Sequence, residues 1–486
     1  MQLSYSQDAT FYVRIVDESF VPIEQEQMRE DNIETLRIKT KSETFNSVLS
    51  KSKIKRFSQA FPTAKSEWLQ KVYLVESDES LLENLKGNQF NKEITNIEPL
   101  CKPELCYTPN DYSLAYPQTN LDLVKAKGAW DIIGSLPRLP IGVTDTYFDT
   151  NHPDLKNQFI SVIGNYSVDG HGTAVAGLLS AQTDNSIGIS AISFNAKMYA
   201  STNWGDDNEV LTIAQQGYRV INCSWLNNCS HSAIQDSLYK EIRDVWNTIV
   251  VFGAGNDIRD EECGSLMAKV YPASLPYVLS VTSVGHMFDV GTITQWGALD
   301  WKDVHLMDVN NPNSSHHHND AVDICAPGYH VATTQNGGTY NGFWGTSAAA
   351  PQVAATACLV LSINPCLSAQ QAMSIIKNTA DPNLYSISYN APYIGLLGTG
   401  RLDVEVASAS AAQSATKIFN VPTVLTGTNV IESNYAIKNT DSLIISSGAD
   451  VLFKTRKNVV LNPGFKVELG AAFKTDVNVN NTINCY

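Results

Sequence analysis

The sequence predicts an α/β fold, a doubly wound parallel sheet flanked by a small α+β N-terminal domain and a small all-β C-terminal domain. Three observations carry this. Between residues 111 and 412, short two-sided apolar runs alternate with helical stretches, and strands buried on both faces belong to parallel sheets. Residues 1–110 mix charges with both strand-like and helix-like segments. From residue 413 to 486 the helical period gives way to short apolar segments separated by turn glycines.

In residues 1–110, segments 11–16 and 72–75 read as strands, and 44–61 and 79–85 as helices, the second preceded by Ser77 and Asp78 as caps. A small α+β unit fits this pattern better than a linker. In the central region the runs Ile141-Gly142-Val143, Val220-Ile221-Asn222-Cys223, Ile249-Val250-Val251-Phe252 and Val278-Leu279-Ser280-Val281 are the strands, with helices over 209–217 and 232–247. In the tail, segment 443–454 is echoed by 465–474, with Gly448-Ala449 and Gly470-Ala471 placed 22 residues apart. That echo points to a stacked β-repeat, and a β-sandwich is the alternative.

At 486 residues, several domains are expected. Hydrophobic content of 43% and charged content of 17% describe a globular chain, and a net charge of −15 argues against nucleic-acid binding. No membrane span is expected. The segment Met1 to Asp8 has neither a basic start nor an apolar stretch. The protein therefore either stays in the cell or is exported by a signal peptide lying outside this sequence. Nine cysteines leave one thiol unpaired in an oxidising compartment. Cys101 with Cys106, or Cys358 with Cys366, could close small loops, while Cys223 and Cys325 read as core residues.

Functional groups of open α/β sheets gather at the carboxyl ends of strands. Asp145 ends the run Ile141-Gly142-Val143-Thr144. His171 stands in Asp169-Gly170-His171-Gly172-Thr173-Ala174-Val175-Ala176-Gly177 at the start of a small-residue helix. Ser347 stands in Gly345-Thr346-Ser347-Ala348-Ala349-Ala350-Pro351, opening a helix over 348–361. Each alone reads as something ordinary: a turn aspartate, a loop histidine, an N-cap serine. A helix N-terminus also favours developing negative charge, which suits a nucleophilic serine.

In the order Asp, His, Ser, with these surroundings, the chain resembles the subtilase family of subtilisin-like serine proteases. The motif around Asp145 includes His152-Pro153-Asp154-Leu155, and Val250 to Asn256 resembles the family's oxyanion strand. The resemblance implies a serine endopeptidase that hydrolyses peptide bonds, needing no cofactor for its chemistry. Ser347 would be the nucleophile, His171 the base, Asp145 its orienting carboxylate and Asn256 an oxyanion donor. It also implies that Ser224 and Trp225 lie on the strand that pairs with substrate. Ala254 and Gly255 would wall the S1 pocket, with Val270 making it shallow and apolar. The Ser224-Trp225 pair and the Ala348-to-Pro351 run lean toward the proprotein-convertase branch, without implying basic specificity. Tyr147, Phe148, Ala174 and Gln352 depart from the family's usual residues and bear on specificity rather than activity.

Residues 182–189 resemble a calcium loop, in which Asn185 and Asp154 could supply oxygens. His316-His317-His318 follows Asn311-Pro312-Asn313-Ser314-Ser315 and reads as part of a solvated insertion. Residues 1–110 resemble a prodomain acting as an intramolecular inhibitor, with autocleavage expected between about 100 and 114. The tail resembles the β-repeat appendages of secreted Bacteroidetes proteins, which favours a secreted or periplasmic location. Two alternative activities remain: a peptide-cyclising transferase using residues 286–320 as a lid, and a non-catalytic binding protein.

Overall fold

The apolar runs of the central region pair into one seven-stranded sheet, all parallel where the register is defined. The computed structural model describes residues 8–30, 33–87, 90, 92–100, 107–165, 169–256, 263–285 and 316–477. The chain divides into two units, Met1–Leu105 and Cys106–Tyr486.

The first unit is a six-stranded antiparallel sheet in the order Glu24–Glu30, Ile33–Lys39, Ile54–Gln59, Val72–Asp78, Asp8–Ile15, Ile94–Leu100. Phe11, Val13, Ile15, Phe45, Leu81 and Leu85 form its core with the helices Glu43–Leu49 and Glu79–Lys86. The helix expected over 44–61 is corrected here: it stops at Leu49, and Ile54–Gln59 is a strand. A register shift between Ile54 and Arg56 puts Ile54 and Phe57 both in the core. Such a bulge spaces apolar residues by three and imitates a helical period.

In the second unit the sheet order is Ile324–Pro327, Leu279–Val284, Ile249–Gly253, Val220–Cys223, Ile141–Thr144, Met198–Ser201, Phe159–Ile163. From Ile141–Thr144 the chain builds the Phe159 side first and then crosses to build the Val220 side. The topological switch therefore lies between Ile141–Thr144 and Val220–Cys223, where such folds open a crevice at the strand carboxyl ends. Every residue of Val220–Cys223, Ile249–Gly253 and Leu279–Val284 is buried, as two-sided packing requires. The helix Thr346–Ile363 is buried along its whole length. Among the described residues it is the one helix long and apolar enough to cross a membrane, and it is 100% buried inside the fold.

Beyond the helix Val404–Ser414 the chain winds into three stacked coils. Three strands of the first coil, Lys417–Phe419, Thr423–Leu425 and Thr428–Ser433, pair in parallel with three of the second, Ala436–Asn439, Leu443–Ile445 and Asp450–Thr455. These pair in turn with Asn458–Val460, Phe465–Val467 and Ala472–Val477. The result is a stacked parallel repeat rather than a sandwich. It has one more coil than the echo in the sequence revealed. Phe419, Ile437, Leu443, Ile445, Val451 and Phe453 fill its interior.

Cys229 and Cys263 form a disulfide. The expected Cys358–Cys366 loop is not made: Cys358 is a free, buried thiol and Cys366 is disulfide-bonded. Cys223 and Cys325 are both buried in the core, as expected. Cys101 and Cys106 lie outside the described residues.

Candidate active site

Each side chain of the site is delivered by an element end. Asp145 follows the strand Ile141–Thr144, Ser224 and Trp225 follow Val220–Cys223, and Asn256 lies just past Ile249–Gly253. His171 opens the helix His171–Ser180, and Ser347 is the second residue of Thr346–Ile363. Asp145, His171, Ser224, Trp225, Asn256 and Ser347 line one cleft of about 420 Å³, together with Thr146, Asp169, Trp204, Leu226, Gly253 and Thr346.

Asp145 is 2% exposed, and its Oδ1 accepts from His171 Nδ1 at 2.7 Å and from Thr146 N at 2.7 Å. A carboxylate at Nδ1 fixes the imidazole tautomer and leaves Nε2 as the basic nitrogen. The Phe343 ring meets the imidazole edge-to-face at 5.2 Å. Burial disfavours the charged imidazolium. The Asp145 charge, its hydrogen bond and the Asp169 charge together outweigh burial and hold His171 above the usual histidine value.

Ser347 Oγ donates to Ser224 O at 3.3 Å, and Ser224 Oγ donates back to Ser347 O at 3.4 Å. The second bond has a covalent origin. Pro351 lacks an N–H, so the carbonyl four residues earlier, that of Ser347, is left without its helical donor. Asn222 Nδ2 in turn donates to Ser224 Oγ at 2.9 Å. The serine hydroxyl thus rests on the strand end beside it, an arrangement common before substrate aligns a catalytic site.

Asn256 Oδ1 accepts from Thr346 N at 2.8 Å, which leaves Nδ2 as the donor of the amide. Gly345 makes this contact feasible: its φ is +98°, and a Cβ there would sit 3.1 Å from the amide. Trp225 is 7% exposed, with Nε1 donating to Thr144 Oγ1 at 2.7 Å, so it ties the substrate-side strand to the strand carrying Asp145. Ala254, Gly255 and Val270 are not among the residues lining the cleft. Val270 is 1% exposed and bonds Ser274 through its backbone. Trp204, Asp169 and Leu226 were not singled out from the sequence. The strand-end rule would have found Trp204, just past Met198–Ser201, and Leu226, just past Val220–Cys223.

Asp154 and Asn185 come together, Asn185 Nδ2 donating to Asp154 Oδ1 at 2.9 Å while Ile189 N donates to Oδ2 at 3.1 Å. Asp111 reaches the same loop through Asn185 N at 3.2 Å and Ser190 Oγ at 2.7 Å. Burial pushes both carboxyls up despite these hydrogen bonds. Two buried carboxylates facing one loop suit a hard cation in charge, although Asn185 Oδ1 already accepts from Ile187 N. Among the described residues no group of three or more His, Cys, Asp or Glu is gathered for a metal.

The reading of His316-His317-His318 as a solvated loop is corrected: the three are 0%, 1% and 3% exposed. Their backbone supplies the reason. His316 bridges to Asn256, His317 N donates to Gly255 O, and His318 N donates to Leu266 O. The preceding residues 286–315, most of the 286–320 lid of the cyclising alternative, lie outside the described residues.

Comparison with known proteins identifies the family. The subtilase family model matches residues 138–417. The chain is 31% identical to thermitase of Thermoactinomyces vulgaris over 294 residues, covering 57% of this chain and 92% of thermitase. It is 29% identical to subtilisin DY of Bacillus licheniformis over 283 residues, covering 55% of this chain and 90% of that protein. A solved protease from Pseudoalteromonas arctica superposes with a TM-score of 0.49 at 22% identity, over 63% of this chain and 100% of its own. With more than half of its length matched by the family model, the chain belongs to the subtilase family and is a subtilisin-like serine endopeptidase, a hydrolase.

Proposed function

We propose that Ser347, His171 and Asp145 form the catalytic triad of this endopeptidase and that Asn256 is its oxyanion donor. The observation that supports this most is the convergence of all four side chains on one cleft at the switch point of the sheet. Ser347 Oγ leaves Ser224 O, gives its proton to His171 Nε2 and attacks the scissile carbonyl carbon. Asp145 holds the imidazole and stabilises the imidazolium that forms. The carbonyl oxygen becomes an oxyanion, met by Asn256 Nδ2 and the backbone N–H of Ser347 at a helix N-terminus. The imidazolium then protonates the leaving amine, and water hydrolyses the acyl-enzyme by the same route in reverse.

The substrate side is proposed from the same cleft. A peptide pairs in extended form with the strand end at Ser224 and Trp225. Trp204, Trp225 and Leu226 make the walls apolar, so an apolar P1 side chain is expected. A peptide library varied at P1 checks this; a strong preference for Arg or Lys would overturn it.

Residues 1–110 are proposed as an intramolecular inhibitor removed by autocleavage, and the boundary between Leu105 and Cys106 lies within the expected window. Export is supported by the Cys229–Cys263 disulfide, since such bonds persist in oxidising compartments. A structural calcium at Asp154 and Asn185 is proposed on the charge of that loop. One experiment tests the central reading: wild type and Ser347→Ala are incubated with an unstructured protein and the products examined by mass spectrometry. Linear fragments from wild type alone are expected, at a rate about 10⁶ above Ser347→Ala, the figure known for subtilisin itself. The same spectra show whether Ser347→Ala still loses its N-terminal region, which would defeat autoprocessing. Cyclic products, or no turnover, would overturn the hydrolytic reading.

A further inference from the structure

Asn256 can serve an oxyanion only if its amide is held still, and the residue before it is the weak point. Gly255 has φ +112°, a conformation that side chains rarely adopt. A glycine there gives the peptide leading into Asn256 more freedom than any other residue would. Something must remove that freedom. Thr346 Oγ1 accepts from Gly255 N at 3.2 Å on one side. On the other side stands the segment His316–His318.

Several contacts fix that segment. His316 pairs with Asn256 as an isolated antiparallel bridge. His317 N donates to Gly255 O at 2.9 Å. The His317 ring lies flat enough on Gly255 that a Cβ at that glycine would be 3.2 Å from Cδ2. The ring is tethered by Nδ1, 3.2 Å from Ala268 O, and because a carbonyl only accepts, this nitrogen carries the hydrogen. Thr282 Oγ1 donates to His317 O at 2.5 Å, which anchors the segment to the sheet strand Leu279–Val284. Gly255 is therefore gripped at its N–H, its carbonyl and its open face.

We infer that His316–His318 is a strap that aims the oxyanion donor, and that His317 is a positioning residue acting on Asn256 through Gly255. The inference rests on the proposed role of Asn256. His317 is not among the residues that line the cleft. Its ring keeps the 255–256 peptide in the one orientation from which Asn256 Oδ1 reaches Thr346 N and Nδ2 faces the cleft. An imprecisely held donor weakens the transition state more than the ground state, so the loss should fall on kcat rather than KM.

A double-mutant cycle on the full-length protein tests this, with a short chromogenic peptide as substrate and near-UV circular dichroism confirming the fold of each variant. Asn256→Ala is expected to lower kcat by roughly 10²–10³. His317→Ala is expected to lower kcat by about 10- to 100-fold with KM within about twofold, the size of a sub-ångström to ångström misplacement. In the Asn256→Ala background, His317→Ala should cost no more than about twofold, because the group it positions is already gone. His317→Gln keeps bulk and an N–H to offer Ala268 O, and it should fall between His317→Ala and wild type. It carries the same cycle if the alanine variant does not fold. An equal loss in both backgrounds, or a rise in KM at constant kcat, overturns the strap. If Asn256→Ala by itself leaves kcat unchanged, the oxyanion reading fails instead.

Discussion

The α/β region and the C-terminal coils are both built from parallel strands, yet they use them in opposite ways. In the α/β region the strands are covered on both faces, every position of Ile249–Gly253 is buried, and chemistry collects where strands end. In the coils the strands alternate, as in Asp450–Thr455, and enclose a narrow core of their own. What the coils offer their neighbour comes from their corners. Arg456, 6% exposed, donates from Nη1 to Ser362 O at 2.9 Å, and Lys457 Nζ donates to Ile132 O at 2.8 Å. Tyr435 Oη donates to the same Ile132 carbonyl at 3.0 Å. Ile132 and Ser362 lie in the last turns of the helices Ala126–Ile133 and Thr346–Ile363, where carbonyls lack helical donors and cations are favoured. The helix that presents Ser347 at its first turn is thus capped at its last by the appended coils. One region carries the candidate active site, and the other secures the helix that presents Ser347 to it.

If that division holds, the largest effect belongs to the strand ends. Asp145→Asn should lower kcat by about 10⁴ while leaving the melting temperature almost unchanged, because the geometry survives and the tautomer control does not. The pH profile of kcat/KM carries a sign that a merely structural role would not produce. In wild type, burial lowers the basicity of His171, but the Asp145 carboxylate and the Asp169 charge hold it above the usual value. The neutral base is therefore lost as pH falls through a value above about 6.5. Removing the Asp145 charge should move that acid limb to lower pH. A limb that stays in place would mean the titrating group is not His171.

The second test addresses the corners. Arg456→Met removes a charge-assisted hydrogen bond that is typically worth about 1.5–3 kcal/mol. Burial already holds the Arg456 guanidinium below its usual value, which places the loss at the low end of that range. A melting temperature lower by roughly 3–6 °C is expected, at about 2–4 °C per kcal/mol. kcat per folded enzyme should stay within about twofold, since Ser362 and Ser347 are about 22 Å apart along the helix at 1.5 Å per residue. A large fall in kcat without a fall in stability would break the comparison and put the coils in contact with the chemistry.

What could be read from the letters follows the same divide. The gathering of Asp145, His171, Ser347 and Asn256 at one cleft was legible because each stands at an element end within a compact motif, and order along the chain ties the motifs together. The first coil was not. Gly448 and Gly470 are followed by alanine, whereas the matching turn glycine, Gly427, is followed by Thr428 and stands at a different interval from Gly448. His316–His318 read as solvent-facing because three histidines in a polar run carry no apolar period. Their burial comes from backbone bonds to Gly255 and Leu266, which leave no mark in side-chain pattern. The strand Ile54–Gln59 was hidden by its bulge.

A third expected effect lies in the loop that holds Asp154 and Asp111. Burial raises both carboxyls, so in the absence of a cation their contribution to stability is full only below the unfolded value and is lost as pH rises through the folded one. A bound calcium ion reverses that cost at neutral pH and has little to bind once the carboxyls are protonated. Added calcium should therefore raise the melting temperature at pH 7 and raise it less near pH 4. Binding at a hundredfold excess over Kd is worth about 2.7 kcal/mol, or roughly 5–10 °C. Asp154→Asn should remove most of that rise, whatever it does to the apo protein, because it deletes a carboxylate ligand and keeps the side chain's size. Scanning calorimetry with calcium or with chelator separates the two cases. An unchanged wild type would mean that Asn185, Ile189 and Ser190 hold the loop by hydrogen bonds alone. The α/β region would then secure that loop as the coils secure their corners, by hydrogen bonds.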